Sequence, residues 1–259
     1  QNGSAGMNVS GNEGEMLIYN TLFADGGTGF AFATTVNTDS ITLMNTTFAN
    51  NETADMSAGL SKVYNSASWE KGKRNMPTDG DNNNKVFAEN TVNSDIHDGP
   101  NFVDPQNTNI EARDYHIRPS LTLLNQGSNA HYAREVLGEA DATDENATIP
   151  DTEVDLGNNA RLVDSTIDIG AYEYEAPLQP IVYVKAGVES STGYDGKSWQ
   201  TALSDLQGAA DLAGIYADQN KTNGYVFVHR NVQDSETQDE DVRLTLDNTK
   251  VYGGMYDET

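Results

Sequence analysis

The chain has 259 residues, 40 acidic against 15 basic side chains and a net charge of −25, so it repels phosphate backbones and anionic membranes, and nucleic acid is excluded as an expected partner. Cysteine is absent, which excludes a disulfide framework and any Cys-based metal centre. Apolar residues reach only 36%, Gly numbers 23, and no run approaches the ~18 apolar residues of a membrane span; the mixture suits many short elements joined by turns.

The N-terminal part carries an internal repeat. Leu17-Ile18-Tyr19-Asn20-Thr21-Leu22-Phe23 aligns with Thr42-Leu43-Met44-Asn45-Thr46-Thr47-Phe48. Lys62-Val63-Tyr64-Asn65-Ser66 fits the same frame, and Lys85-Val86-Phe87-Ala88-Glu89-Asn90-Thr91 is read as a looser fourth copy. Each copy is a β-branched and aromatic run with an Asn-Thr or Asn-Ser step, and the Asn positions recur at about the length of one solenoid turn. A strand alternates its side chains inward and outward, so stacked copies bury a continuous core that one copy cannot. Asn tolerates the left-handed turn conformation. The competing expectation is an antiparallel sandwich built from similar strands.

Residues 70–99 break the repeat with Glu70-Lys71-Gly72-Lys73-Arg74 and Asp79-Gly80-Asp81-Asn82-Asn83-Asn84, and read as a projecting loop. Glu139 to Asp155 reads as an acidic surface excursion, and Asp151 to Tyr174 as a return to order. Ala176-Pro177-Leu178-Gln179-Pro180 reads as a stiff linker. Beyond it, Ile181–Val184, Tyr225–Val228, Val242–Leu246 and Lys250–Gly254 are predicted strands. Ser198 to Ala213 is a predicted amphipathic helix, with Leu203, Leu206, Ala210 and Ala213 at spacings of three and four. The helix is expected to cap an open sheet edge.

These segments carry a family resemblance. Tyr183-Val184-Lys185-Ala186-Gly187, Gly196-Lys197-Ser198-Trp199 and Leu206-Gln207-Gly208-Ala209 resemble the opening of secreted or cell-surface bacterial parallel β-helix proteins, the pectin-lyase-like and polymorphic outer-membrane-like families. Val251-Tyr252-Gly253-Gly254 is similar to their first complete rung. Asn101-Phe102-Val103-Asp104-Pro105, Asp114-Tyr115-His116-Ile117-Arg118-Pro119, Asn125-Gln126-Gly127-Ser128-Asn129 and Asp168-Ile169-Gly170-Ala171-Tyr172-Glu173 resemble their closing rungs. The closing signature here precedes the opening one.

The resemblance implies an all-β chain made of a right-handed parallel β-helix, or solenoid. Residues 1–176 would be the C-terminal rungs and closing segment of one β-helix, 177–180 the Pro-containing linker, and 181–259 the capping helix and first rungs of a second. It also implies an extracellular or cell-surface, outer-membrane-associated location. The expected function is a non-enzymatic module, a stalk, adhesin-like or assembly subunit. Its expected partners are other β-helical modules or copies of itself, met head to tail through uncapped ends, and carbohydrate. The alternative is a polysaccharide-active β-helix enzyme, a lyase or glycoside hydrolase, with its groups beside the 70–99 loop.

The sequence offers no catalytic set to assign. His97, His116, His131 and His229 lack metal-ligand spacing. Asp79, Asp81 and Asn83 resemble the alternating oxygen ligands of a calcium loop, although Asn84 and Asn90 stand where such a loop has Gly and Glu; Ca²⁺ is the one cofactor suggested. Trp69, Asp79 and Asp81 are the ligand-binding candidates. Trp69 is the ring best placed to stack on a sugar, whereas Trp199 is assigned to the core. Asp39-Ser40-Ile41 and Asp164-Ser165-Thr166 resemble a short bacterial O-glycosylation acceptor, which makes Ser40 and Ser165 the modification candidates.

Overall fold

The computed structural model describes residues 5–11, 14–69, 75–78, 81–87, 99–118, 122–174, 178–186, 196–230 and 248–255. The chain divides into two compact units, one holding 1–117 with 122–175, the other 118–121 with 176–259.

In the first unit the repeat is observed as parallel, in-register pairing. Strands β1 (Ala5–Val9), β2 (Met16–Ala24), β3 (Thr28–Phe32), β4 (Ile41–Ala49) and β5 (Ala54–Met56) are followed by β6 (Lys62–Tyr64), β7 (Ala67–Trp69) and β8 (Lys85–Phe87). Leu17 pairs with Thr42, Tyr19 with Met44 and Phe23 with Phe48. Each nine-residue strand bends at its Asn: Asn20 and Asn45 both sit at φ 48°. The arm of β4 before the bend pairs with β6 and the arm after it with β7; Asn65, also at φ 48°, makes the corner between those two. An L-residue with φ positive is strained unless its side chain finds local hydrogen bonds, which is why the corner is Asn in every copy.

The fourth copy departs from the expectation. Lys85–Phe87 pairs with Ala67–Trp69, the strand that follows an Asn, so the equivalent corner residue is Asn83 at φ 56° and not Asn90. Asn90 lies outside the described residues.

The expected closed β-helix is not what the structure holds. Several small separate sheets, mostly parallel, take its place, together with a few helices. β6, the Asn65 corner and β7 together are the counterpart of β4, and among the described residues only the three-residue β8 is added beyond them, so the ladder does not propagate as equal turns. The sheet β1-β3-β5 is separate from β2-β4-β7-β8. Strands β9 (Phe102–Asp104) and β10 (Asp114–Ile117) pair antiparallel, against the expectation of further parallel rungs. A short helix α1 (Asn129–Tyr132) follows the Asn125–Asn129 segment and runs into a π-turn at Ala133–Leu137.

The core of this unit lies between its sheets. Phe23, Phe30, Ile41, Leu43, Phe48, Met56 and Val63 form one cluster, with the Phe23 and Phe48 rings stacked at 5.3 Å across the β2–β4 pair. Each such buried side chain contributes about 1.5–3 kcal/mol of transfer free energy.

Among its described residues the second unit has one parallel sheet, β11 (Ile181–Val184), β12 (Gly224–His229) and β13 (Thr249–Met255), in that order. The predicted Val242–Leu246 strand lies outside the described residues, as do Ala176 and Pro177 of the linker. Pro180 is tied to the sheet, its carbonyl accepting from Tyr225 N at 2.7 Å. Helix α2 (Leu206–Asn220) starts eight residues later than predicted. Ser198 closes only a single turn, with its Oγ accepting from Thr201 N, and Asp205 then caps the true helix by accepting from Gln207 N and Gly208 N. The helix covers the face of the sheet, not its edge: it packs on β11, β12 and β13, and Val182, Val184, Val226 and Val228 are buried on that side. Gly224 permits this approach, since a Cβ there would lie 1.9 Å from the Ala213 carbonyl oxygen. The other edge of β11 is continued by residues 196–203, with Leu203 N donating to Tyr183 O at 2.9 Å.

Candidate functional site

The residues singled out by sequence do not converge. Trp69 is only 4% exposed and its ring packs on Phe102, 6.2 Å between centroids, so it is core and not a platform for a sugar. Asp79 lies outside the described residues. Asp81 is exposed, and its backbone oxygen meets His131 Nε2. Asn83 turns the chain and donates its amide to Gln126 O at 3.1 Å. Among the described residues no group of three His, Asp or Glu side chains is placed to hold a metal ion. Ser40 donates its hydroxyl to Asn37 O at 2.8 Å, while Ser165 is exposed on a bend.

The corner Asn side chains instead hold the returning chain. Asn20 donates to Val154 O at 2.6 Å; Asn45 donates to Asp168 O at 2.9 Å and Gly170 O at 3.3 Å. Asn65 both donates to Ser128 O and accepts from Ser128 N. A second row works likewise: Asn50 donates to Pro105 O and the Tyr115 hydroxyl, and Asp25 pairs with Arg113 and accepts from Tyr115.

At the end of this segment Arg161 is fully buried. Its Nη2 donates to Glu173 Oε2 at 2.6 Å and to Asp168 O at 3.0 Å, and its Nη1 to Gly170 O at 3.3 Å. Asp168 accepts from Asn125 N and Tyr174 N, and Asp155 from Asn159 N and Glu173 N. Burial pushes the Asp168 carboxyl up to about 7 against the pull of those two amides and of Arg161, and burial likewise raises Glu173 well above its ordinary value. These groups hold one another and account for the Asp168–Glu173 segment as architecture.

The second unit presents the arrangement most suited to a ligand. Alternation along β11 and β12 turns the valines toward α2 and Tyr183, Tyr225, Phe227 and His229 to the opposite face, where each is half-buried. Register then aligns the rings: Tyr183 pairs with Phe227 and Phe227 with Tyr252. Their centroids lie 5.7 and 5.8 Å apart, at 82° and 79°. Trp199 extends the row with its ring edge-on to Tyr183 at 4.8 Å and to His229 at 5.5 Å. Tyr225 stacks on Tyr252 at 6.3 Å and carries the Lys250 ammonium over its face. Tyr252 is 46% exposed. Edge-to-face contacts hold the rings in fixed orientations, so they are set before any ligand arrives.

The two tryptophans thus exchange the roles expected of them: Trp69 is buried and Trp199 lies on this aromatic face. Tyr183, Tyr225, Phe227 and Tyr252 went unassigned in the sequence reading. The signal for them is the Val/aromatic alternation of Ile181–Val184 and Tyr225–Val228, once the strands are laid side by side.

Comparison with known proteins gave no matching family model, no matching curated protein and no matching solved structure.

Proposed function

We propose that this chain is a non-catalytic module of an extracellular or cell-surface protein that binds polysaccharide through the aromatic face of β11, β12 and β13. The observation that carries the reading is the cross-strand row Tyr183–Phe227–Tyr252, flanked by Trp199 and Tyr225. Aromatic rings with one polar end suit sugars, whose C–H faces stack on the ring while hydroxyls meet Tyr oxygens and the indole N–H. A row of rings on neighbouring strands suits an extended polymer better than a monosaccharide. The net charge of −25 favours an uncharged chain over a polyuronate, which it would repel.

The test is a titration with soluble neutral and anionic polysaccharides, read by calorimetry and by the fluorescence of Trp199 in a Trp69→Phe background. Binding of a neutral polymer, weakened at least about tenfold by Tyr252→Ala or Trp199→Ala, is expected; tenfold is about 1.4 kcal/mol, the scale of one lost ring contact. Failure of the whole panel to bind, or binding indifferent to both substitutions, refutes the assignment. Release of new reducing ends during the titration would refute the non-catalytic part alone.

A further inference from the structure

We propose that the buried cluster of Arg161, Asp168 and Glu173 is a pH-dependent latch that seats residues 155–174 on β4 and loosens as the solution turns alkaline. The geometry is unbalanced in charge. One guanidinium faces Glu173 directly and reaches the backbone of Asp168 and Gly170, while three buried carboxyls, Asp155, Asp168 and Glu173, close around the same loop. Asp164 adds a further negative charge beside Asp168. On the far side Tyr132 donates to Glu153 Oε2 at 2.8 Å and lies within the fields of both Glu153 and Arg161. From β10, His116 lies against Tyr172 at 4.1 Å between ring centroids and its Nε2 borders Gly157 beside Asp155, with Asp114 paired to its Nδ1; the other elements packed against the loop contribute neutral groups, Asn20 from β2, Asn45 and Thr47 from β4, Asn65 from its corner, and Asn125.

With all three carboxyls ionised, the interior carries an excess of negative charge that a single Arg cannot offset. A proton retained by Asp168 or Glu173 relieves it. Both carboxyls are pushed upward by burial, Asp168 to about 7. The sign follows from proton uptake: the seated loop binds a proton that the released, solvated loop gives up near the ordinary value of 3.8, so seating is strongest in acid and weakens as pH rises through about 7. The loop is anchored through Asn45 to Asp168 O and Gly170 O, through Thr47 Oγ1 to Ala171 N, and through Asn65 O to Gly170 N, so these are the contacts that open.

The experiment is hydrogen exchange of the intact chain between pH 6 and pH 8.5, corrected for the intrinsic pH dependence of exchange. Amides of 155–174 are expected to open about tenfold more readily at the upper pH, the effect of losing one proton with a midpoint near 7. Glu173→Gln keeps an oxygen for Arg161 and for Asp168 N while removing one charge, and is expected to cut that rise to less than about threefold. An equal rise in the variant overturns the latch, as does a flat profile in the wild type. Should the variant not fold, carboxyl carbon NMR of the wild type decides: a buried carboxyl titrating near neutrality supports the latch, and all carboxyls titrating in the ordinary range overturn it.

Discussion

Asn45 offers the cleanest measurement of how the returning chain is held. It is fully buried at φ 48°, and its amide reaches Asp168 O and Gly170 O at 2.9 and 3.3 Å. Asn45→Ala puts a Cβ-bearing residue without a hydrogen-bonding side chain into the left-handed region, at a cost of about 1–2 kcal/mol. It also strips an amide from two buried carbonyls. Arg161 still donates to both, and the Asn45 Oδ1 that disappears has no partner among the described residues, so the hydrogen-bond loss stays near the low end, about 1 kcal/mol. The sum is about 2–3 kcal/mol. Asn45→Gly removes the same amide without the backbone penalty, and so costs about 1 kcal/mol, somewhat more if added chain freedom counts. Urea unfolding of both variants, followed by Trp69 fluorescence in a Trp199→Phe background, separates the two contributions. Glycine proving as costly as alanine refutes the conformational argument. Both variants lying within about 0.5 kcal/mol of wild type refutes the clamp itself.

Gly170→Ala is expected to cost more than about 2 kcal/mol, since φ is +104° and a Cβ would lie 2.6 Å from Thr47 Oγ1; thermal unfolding checks it. Arg161→Met leaves Glu173 and Asp168 buried without their cation, and should destabilise the first unit by about 3–5 kcal/mol at pH 8, less in acid, as read by urea midpoints at both pH values. In the second unit, burial raises Asp211 to about 7 while Gln207 Nε2 holds its Oδ1 at 2.9 Å. Its raised value makes the folded unit bind the extra proton, so stability measured through Trp199 should fall between pH 5 and pH 8, and Asp211→Asn should flatten that slope.

The parallel pairing of β2, β4 and β6 was legible because apolar runs recur in one frame around an Asn. The closure was not: strand repetition does not reveal that the ladder tapers to the three-residue β8 or that β9 and β10 turn antiparallel. Two Asn-bearing steps follow Asn65, and only the packing distinguishes Asn83 from Asn90. Ser198 does cap a turn, so the local signal was sound, but nothing local shows that the turn stops and Asp205 starts afresh. Aromatic alternation in Tyr225–Val228 was visible, whereas its alignment with Tyr183 and Tyr252 needed the register. The burial of Arg161 left no mark in the sequence, because its partners lie seven to twelve positions away with no periodicity.

The corners at Asn20, Asn45, Asn65 and Asn83 stand 25, 20 and 18 positions apart, yet the strands beside them keep their pairing. Register is therefore independent of the length of chain between corners. Length can vary only at the exposed turns of those intervals, such as 34–35 and 57–59, because β3, β5 and the core side chains from Phe23 to Val63 fill the rest. Those turns are places where foreign peptide can be grafted, and the corners and the strands beside them are the positions any redesign has to preserve.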